Sequence, residues 1–508
     1  MKKPFVIHPF LFAIFPILFL FSHNIEQVSF SKTLVPMAVA LGFTLLLSLL
    51  SRLILRDNRK AGIIVSIFLI LFFSHGHVYN IIQGWQIGIL IGRHGYLLFT
   101  WGMLFTCGAY FTVKTRRHLH NLTNILNAVA AVLVAISVIN IVPYKLKTIF
   151  ASHEIKSTKK IEMSATDLKN TDKLPDVYYI ILDRYAASST LKEIYNFDNS
   201  EFTDYLSNKG FYVAFESRAN YLTTFQSLAS SLNMEYINYL SEKVGEESND
   251  WKPIYTMVED YKVWRFLKSK GYKFIHFGSW ADPTRRNEYA DMNFALYPLS
   301  DFSRVLYKTT MLWPIGRSLG IGRPEGECKK VLRNFDKLAE ISNIKEPTFT
   351  FAHILLPHFP YLFDRNGNVL TTEEANKRSR IVNYVDQLIF TNKKVKVLID
   401  NLLSSSEAPP IIILQSDEGP HPSGQSTHLE QMSKAELRQK MRILNAYYLP
   451  NADKSVLYPS ISPVNSFRLV FNLYFRTNFE LLPDESYAFV DENHIYKFFN
   501  VTDKVKYD

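Results

Sequence analysis

The chain has 508 residues, more than the roughly 100–200 of an ordinary domain, which predicts a membrane part followed by one large or two moderate soluble parts. The net charge of +10 does not indicate nucleic-acid binding, because much of the excess lies in short loops between apolar segments and no basic-aromatic recognition motif is present. Two cysteines, Cys107 and Cys328, are too few for a disulfide framework.

Apolar residues are concentrated in the first third of the chain, where five segments have the length and composition of transmembrane helices, which need about 20 residues each. These segments are Pro4–Ser22, Thr33–Leu55, Ala61–Ile82, Gly95–Val113 and Thr123–Val142. The first begins like a signal peptide, but no small-residue cleavage site follows it, so we interpret it as a retained anchor.

The short loops predict the orientation, because loops rich in Lys and Arg remain on the cytoplasmic side. The cations that fall on one side are Lys2, Lys3, Arg52, Arg56, Arg59, Lys60, Lys114, Arg116 and Arg117. The loops Ser22–Lys32 and Gln83–His94 carry far less positive charge. Five spans then place the remaining chain outside the cytoplasmic membrane.

The predicted domains are a transmembrane domain at 1–143, a lysine-rich linker at 144–174 and an extracytoplasmic domain at 175–508. In the last of these, strand-like and helix-like segments alternate, which predicts an α/β fold with a mostly parallel central sheet and helices on both faces. The predicted strands are Val177–Leu182, Phe211–Phe215, Tyr272–Phe277, Pro347–Leu355 and Pro410–Gln415, and the predicted helices include Ser200–Lys209, Val263–Ser269 and Ile381–Leu403.

Polar residues follow several of these strands, at the edge where open α/β sheets bind their ligands. Asp183 comes directly after the first strand, where it can bind a metal ion or cap the next helix. The segment Ser217–Leu232 is rich in hydroxyl groups, so it offers either a nucleophile at a helix start or an N-cap with a small-residue packing face.

Two further segments carry histidines and acids. His353 and His358 flank a proline-rich turn, where they can bind a metal ion or a phosphate oxygen or simply form loop hydrogen bonds. In Ser416–His428, two acids follow a strand and precede a Gly-Pro turn that lets both approach one ion. The other reading of this segment is a polar surface turn.

Taken together, these motifs resemble the alkaline phosphatase superfamily in its sulfatase-like branch, especially the membrane phosphoethanolamine transferases and lipoteichoic-acid synthases. The resemblance covers the whole architecture of five spans, a linker and an extracytoplasmic α/β domain. It implies a divalent metal ion, zinc, manganese or magnesium, and a threonine nucleophile.

The resemblance also implies roles for individual residues. The metal ligands would be Asp183, Thr224, Asp417 and Glu418; the catalytic residues Thr224, His353 and His358; the substrate-binding residues Ser227, His421 and His428. Glu418 stands where the family usually has histidine, which leaves the metal open. No Cys/Ser-x-Pro-x-Arg motif is present, which argues against sulfate-ester hydrolysis through formylglycine.

The expected activity is metal-dependent transfer of a phosphoryl-type group, phosphoethanolamine or glycerol phosphate, from a phospholipid or lipid-linked donor to an envelope glycan or lipid acceptor. The preference for transfer comes from the family resemblance. Two alternatives remain open: a hydrolase on the same fold, acting as a phosphatase, phosphodiesterase or sulfatase, and a non-catalytic relative that binds the envelope.

Overall fold

A computed structural model describes residues 5–83, 94–116, 119–155, 174–295, 297–322, 324–421 and 432–507. The described residues form two compact units. The helical unit lies within Met1–Lys160 and Leu299–Gly322, and the α/β unit within Ile161–Pro298 and Arg323–Asp508. The segment Leu299–Gly322, which is part of the predicted 175–508 domain, thus packs with the helical unit.

The helical unit consists of the N-terminal helices and two short helices from the later segment. They are α1 (His8–His23), α2 (Ser31–Leu55), α3 (Asn58–Gln83), α4 (His94–Lys114) and α5 (His120–Ile155), with α13 (Asp301–Thr309) and α14 (Leu312–Ser318). Four of them, α2 to α5, are long and apolar enough to cross a membrane. Helix α1 has 16 residues, fewer than the about 20 that span a bilayer.

The α/β unit contains all of the described strands. Its helices are α6 (Ser188–Tyr195), α7 (Ser200–Asn208), α8 (Thr224–Asn233), α9 (Leu240–Val244), α10 (Lys252–Glu259), α11 (Lys262–Ser269), α12 (Asp282–Arg285), α15 (Pro324–Ala339), α16 (Thr372–Lys377), α17 (Arg380–Ser405), α18 (Lys434–Met441), α19 (Pro463–Phe475) and α20 (Thr502–Val505). Its strands are β1 (Val177–Leu182), β2 (Tyr212–Val213), β3 (Lys273–Phe277), β4 (Met292–Phe294), β5 (Thr348–Ile354), β6 (Ile411–Gln415), β7 (Asn445–Tyr448), β8 (Tyr487–Phe489) and β9 (Phe498–Asn500). Two 3-10 helices cover Glu340–Asn343 and Lys454–Val456.

The central sheet has seven strands in the order β2-β7-β6-β1-β5-β3-β4. Strands β6, β1, β5, β3 and β4 are parallel, and β7 and β2 continue the sheet in antiparallel pairing. Strand β1 therefore lies at the centre with β5 and β6 as its neighbours. The carboxyl ends of these three strands meet at one edge.

Both faces of this sheet are covered, which explains why β1 is apolar throughout. Tyr179 and Ile181 pack into one core with helices such as α8 and α19. Tyr178, Ile180 and Leu182 pack into a second core that includes α17. A parallel strand buried on both faces has no polar alternation. The predicted fold class, apolar helices followed by an α/β domain with a mostly parallel sheet, is confirmed.

Candidate active site

Three side chains meet at the carboxyl edge of the sheet. Asp183 follows β1, His353 is the sixth residue of β5, and Asp417 comes two residues after β6. The register pairs Ile181 with both His353 and Gln415, which brings the three strand ends level. One ligand atom from each of the three residues lies within 4.8 Å of the others, and each residue is at most 3% exposed.

Short hydrogen bonds hold the turns that carry these side chains. The Ser416 hydroxyl accepts the backbone N–H of Tyr185 at 2.9 Å and donates to the Glu418 carbonyl at 2.7 Å, so it joins the ends of β1 and β6. Arg184 adopts a left-handed backbone conformation with φ of 61°, and its N–H donates to Asp417 Oδ1 at 3.2 Å. A strained residue at such a position is typical of functional sites.

The ring nitrogen of His353 that faces away from Asp183 contacts Thr284, a buried residue that none of the sequence motifs includes. His353 Nδ1 lies 3.0 Å from the Thr284 hydroxyl, and the Thr284 carbonyl lies 2.8 Å from His276 Nε2. Such contacts to the far ring nitrogen orient a histidine whose other nitrogen faces a ligand. His353 Nε2 faces Asp183 Oδ2 at 3.3 Å.

The two carboxylates have opposite electrostatic surroundings. Burial and the nearby Asp183 raise the pKa of Asp417 to about 7. Burial alone would raise the pKa of Asp183 as well, but the neighbouring His358, His353 and Arg184 hold it below its usual value. Two buried acids that repel each other are stabilised by a cation placed between them.

The arrangement fits a divalent metal ion. Asp183 Oδ1 and Asp417 Oδ2 are buried and have no hydrogen-bond partner among the described residues. Two carboxylates and one imidazole form a ligand set that suits zinc and manganese. Among the described residues, Asp183, His353 and Asp417 form a group that could hold such an ion.

Thr224 lies beside this group at the first residue of helix α8. The Thr224 hydroxyl is one of the neighbouring groups that lower the pKa of Asp417, and the Thr224 side chain is partly exposed. The free backbone N–H groups and the positive dipole end of a helix favour a negatively charged substrate there. The Thr224 hydroxyl is thus accessible to a substrate, lies near a carboxylate and stands at the start of a helix.

The other hydroxyl groups of this segment are used within the fold. The Thr223 hydroxyl donates to Gln226 Oε1 at 3.0 Å. The Ser227 hydroxyl is buried and donates to the Tyr221 carbonyl at 3.0 Å, which secures the start of the helix. Among the predicted site residues, Ser227 therefore occupies a packing position.

Glu418 does not join the three-residue group. Its Oε1 accepts from Arg184 Nε at 3.0 Å and its Oε2 accepts from Lys440 Nζ at 2.5 Å. Both Glu418 and Lys440 are buried, and burial lowers the pKa of Lys440 to about 8 although Glu418 opposes the shift. Both carboxylate oxygens are thus engaged by cations of the chain.

A cleft beside the three-residue group is lined by two arginines, two histidines and several aromatic side chains. It includes Arg184, His358, Arg380 and His421, with Tyr361 among the aromatic residues. His421 Nε2 lies 3.2 Å from Lys440 Nζ, and burial together with Lys440 lowers the pKa of His421. His428 lies outside the described residues. The lining favours an anionic group.

The glycine after Glu418 has a clear steric role. A Cβ atom at Gly419 would lie 2.1 Å from the Gln439 carbonyl oxygen, and the Gly419 N–H donates to the Lys440 carbonyl at 2.7 Å. This close approach brings Glu418 next to Lys440. We expect Gly419→Ala to destabilise the protein by about 1–3 kcal/mol through overpacking. Thermal unfolding of the full-length protein measures the change. Gly245→Ala is not a suitable control, because the φ of Gly245 is 99° and alanine would be strained there.

A suitable control is Gly326→Ala, since no atom lies within 4 Å of an added Cβ there. This variant should unfold at the wild-type temperature or slightly above it, because alanine favours the helix. Equal unfolding temperatures for Gly419→Ala and wild type would mean that the turn can shift without cost.

Comparisons with known proteins add the following findings. No protein-family model matches the chain, and no curated protein matches it. Solved structures that are similar to it include the C-terminal periplasmic domain of EcEptC from Escherichia coli, with 14% identity, a TM-score of 0.44 and coverage of 66% of this chain and 95% of that one. The same domain in complex with Zn has 13% identity, a TM-score of 0.42 and coverage of 64% and 96%.

A membrane protein is also among the similar structures. The integral membrane protein lipooligosaccharide phosphoethanolamine transferase A (EptA) from Neisseria meningitidis has 13% identity and a TM-score of 0.39, with coverage of 92% of this chain and 95% of that one.

Proposed function

We propose that this chain is a membrane-anchored, metal-dependent enzyme that transfers a phosphoryl-type group through a covalent intermediate on Thr224. The observation that carries the proposal is the buried group of Asp183, His353 and Asp417 beside a threonine at a helix start. Asp183, Thr224 and Asp417 also belong to the sequence motifs that resemble those of the sulfatase-like transferases. The proposed location is the cytoplasmic membrane with the α/β unit on the outer side.

The proposed metal ligands are Asp183, His353 and Asp417, with Thr224 as the neighbouring hydroxyl. When bound, a divalent ion supplies positive charge that lowers the pKa of a nearby hydroxyl and neutralises substrate oxygens. The family resemblance implies that Glu418 is a metal ligand. We propose instead that it forms ion pairs with Arg184 and Lys440, because these two cations contact both of its carboxylate oxygens.

In the proposed reaction the Thr224 hydroxyl gives its proton to water, and its oxygen forms a bond to the substrate phosphorus. The bond from phosphorus to the leaving oxygen breaks, and that oxygen keeps the electron pair and takes up a proton. We assign to His358, which lines the cleft, the donation of this proton or the binding of a non-bridging oxygen. An acceptor hydroxyl then repeats the displacement and frees Thr224.

Binding of the anionic substrate is assigned to the cationic cleft. Arg184 and Arg380 supply guanidinium groups, which bind phosphate oxygens in pairs. The membrane helices favour a phospholipid or lipid-linked donor, since they keep the chain at the surface where such donors occur. Phosphoethanolamine or glycerol phosphate is the proposed transferred group, and an envelope glycan or lipid the acceptor.

A labelled donor tests this function in the full-length protein. The purified chain in detergent micelles is incubated with phospholipid bearing a labelled phosphoethanolamine headgroup, with zinc, manganese or magnesium, or with chelator. We expect metal-dependent release of diacylglycerol and a covalent phosphoethanolamine adduct on the Thr224 peptide, detected by mass spectrometry. Turnover of p-nitrophenyl phosphate to free phosphate without any adduct would favour a hydrolase instead.

Absence of both turnover and adduct, in metal-loaded protein of normal fold, would contradict the proposal. It would favour the second candidate, a non-catalytic protein that binds the envelope.

A further inference from the structure

The segment Leu299–Gly322 is a short insert that leaves the α/β unit and packs on the membrane helices. Its helix α13 contacts α1, α2 and α3. Phe302 and Leu306 are buried in the apolar cluster of these helices. The insert is therefore attached to the helical unit by a core of its own.

The contacts with α3 give the depth of the insert in the membrane. The Met311 N–H donates to the Phe72 carbonyl at 3.1 Å, and a Cβ atom at Gly76 would lie 2.6 Å from the Lys308 carbonyl oxygen. Helix α3 begins at Asn58, next to the cationic loop that predicts the cytoplasmic side. Phe72 is just past the middle of this 26-residue helix and Gly76 is seven residues from its end, so the insert contacts the half of the helix that is farther from this loop.

The remaining surface of the insert is apolar and exposed. Six large apolar side chains are between 42% and 75% exposed: Leu299, Val305, Leu312, Ile315, Leu319 and Ile321. So many adjacent exposed apolar residues on a short segment indicate contact with a partner or a membrane. Because the insert is packed on membrane-spanning helices in their outer half, its surface continues their lipid-facing surface.

The polar groups of the insert match a membrane interface. Lys308 Nζ and Arg317 Cζ each lie 5.6 Å from the Trp313 ring centroid, and both cations are exposed. Trp is enriched at the level of the lipid headgroups, and Lys or Arg there attracts anionic lipid. Arg304 and Asp301 form an ion pair with each other. Lys308 and Arg317 therefore give the insert its net positive charge.

We propose that Leu299–Gly322 lies in the outer interface of the bilayer, with its leucines and isoleucines among the acyl chains and with Lys308 and Arg317 binding anionic phospholipid headgroups. The insert is a second membrane contact in addition to the spanning helices. The proposal does not depend on the reaction at Thr224.

Fluorescence quenching in vesicles tests the contact. The full-length protein with Cys107→Ser and Cys328→Ser receives one cysteine, at Leu319→Cys or Ile315→Cys, labelled with an environment-sensitive dye. Val397→Cys on α17 is the control, because Val397 is also apolar and 58% exposed. Phosphatidylcholine vesicles carry a trace of nitroxide lipid. We expect strong quenching at 315 and 319 and little at 397; equal quenching at all three positions would overturn the proposal.

The headgroup preference is measured with the same labelled protein. Nitroxide phosphatidylglycerol should quench the dye at Leu319→Cys at least about fivefold more effectively than nitroxide phosphatidylcholine, since each of the two interfacial cations attracts anionic lipid by about 1 kcal/mol. Lys308→Gln with Arg317→Gln should remove this difference and keep the quenching itself. Equal quenching by the two lipids in the unsubstituted insert would overturn the role of the two cations.

Discussion

Replacing Thr224 by alanine should reduce turnover by at least about 10³-fold, because the account assigns the covalent bond to this hydroxyl. The fold should be unchanged, since the Thr224 side chain is partly exposed at the first turn of α8. Release of diacylglycerol from a labelled phospholipid, together with thermal unfolding, measures both effects. Thr224→Ser should keep part of the activity.

Two neighbouring hydroxyl residues provide matched controls for this experiment. Thr223→Ala removes a hydroxyl that contacts Gln226, and it should keep most of the activity. Ser227→Ala should cost stability rather than chemistry, because its hydroxyl is buried against the Tyr221 carbonyl. Full turnover in Thr224→Ala, or its loss in Thr223→Ala alone, would contradict the assignment of the nucleophile.

Replacing Glu418 by glutamine should destabilise the protein by about 3–5 kcal/mol, because it leaves the buried ammonium group of Lys440 without its charged partner. Removing both charges, in Glu418→Met with Lys440→Met, should restore most of the stability, since an apolar pair of similar volume replaces a buried ion pair at little cost. Thermal unfolding of metal-free full-length protein measures the difference between the two variants.

Comparison of Glu418→Gln with the double variant distinguishes two roles of Glu418, that of an ion-pair partner and that of a metal ligand. If Glu418 bound the ion, Glu418→Gln would weaken metal binding and leave the metal-free protein nearly as stable as wild type. We expect the reverse, with a large loss of stability in metal-free Glu418→Gln and its recovery in the double variant.

Much of the α/β unit could be predicted from the sequence, because its strands are short apolar segments bounded by clear turn residues. The predicted strand Val177–Leu182 has the same bounds as β1, and Pro410–Gln415 differs from β6 by one residue. Helix α17 (Arg380–Ser405) extends the predicted Ile381–Leu403 by a few residues. Burial on both sheet faces makes such patterns strong.

The membrane segments were predicted nearly as well, with one difference. Four of the five predicted spans correspond to helices long and apolar enough to cross a membrane, and the first corresponds to the shorter α1. The packing of Leu299–Gly322 on these helices is not visible in the sequence, since an apolar amphipathic segment is equally compatible with a core position.

The site could be predicted in part. Asp183, His353 and Asp417 were candidates because each stands at a strand end, and the strand order then brings them together. The role of Glu418 depends on Lys440, which lies 22 residues later on another element, and the support of His353 depends on Thr284. Such partners are set by tertiary packing, and no local sequence pattern identifies them.

The measurement that tests the central claim most directly is the metal content of the purified full-length protein, determined by elemental mass spectrometry after equilibration with zinc, manganese or magnesium. We expect near-stoichiometric binding of one of these ions, its loss in Asp183→Ala and Asp417→Ala, and its retention in Glu418→Met with Lys440→Met. Folded wild-type protein that takes up no metal from any of the three solutions would contradict the account.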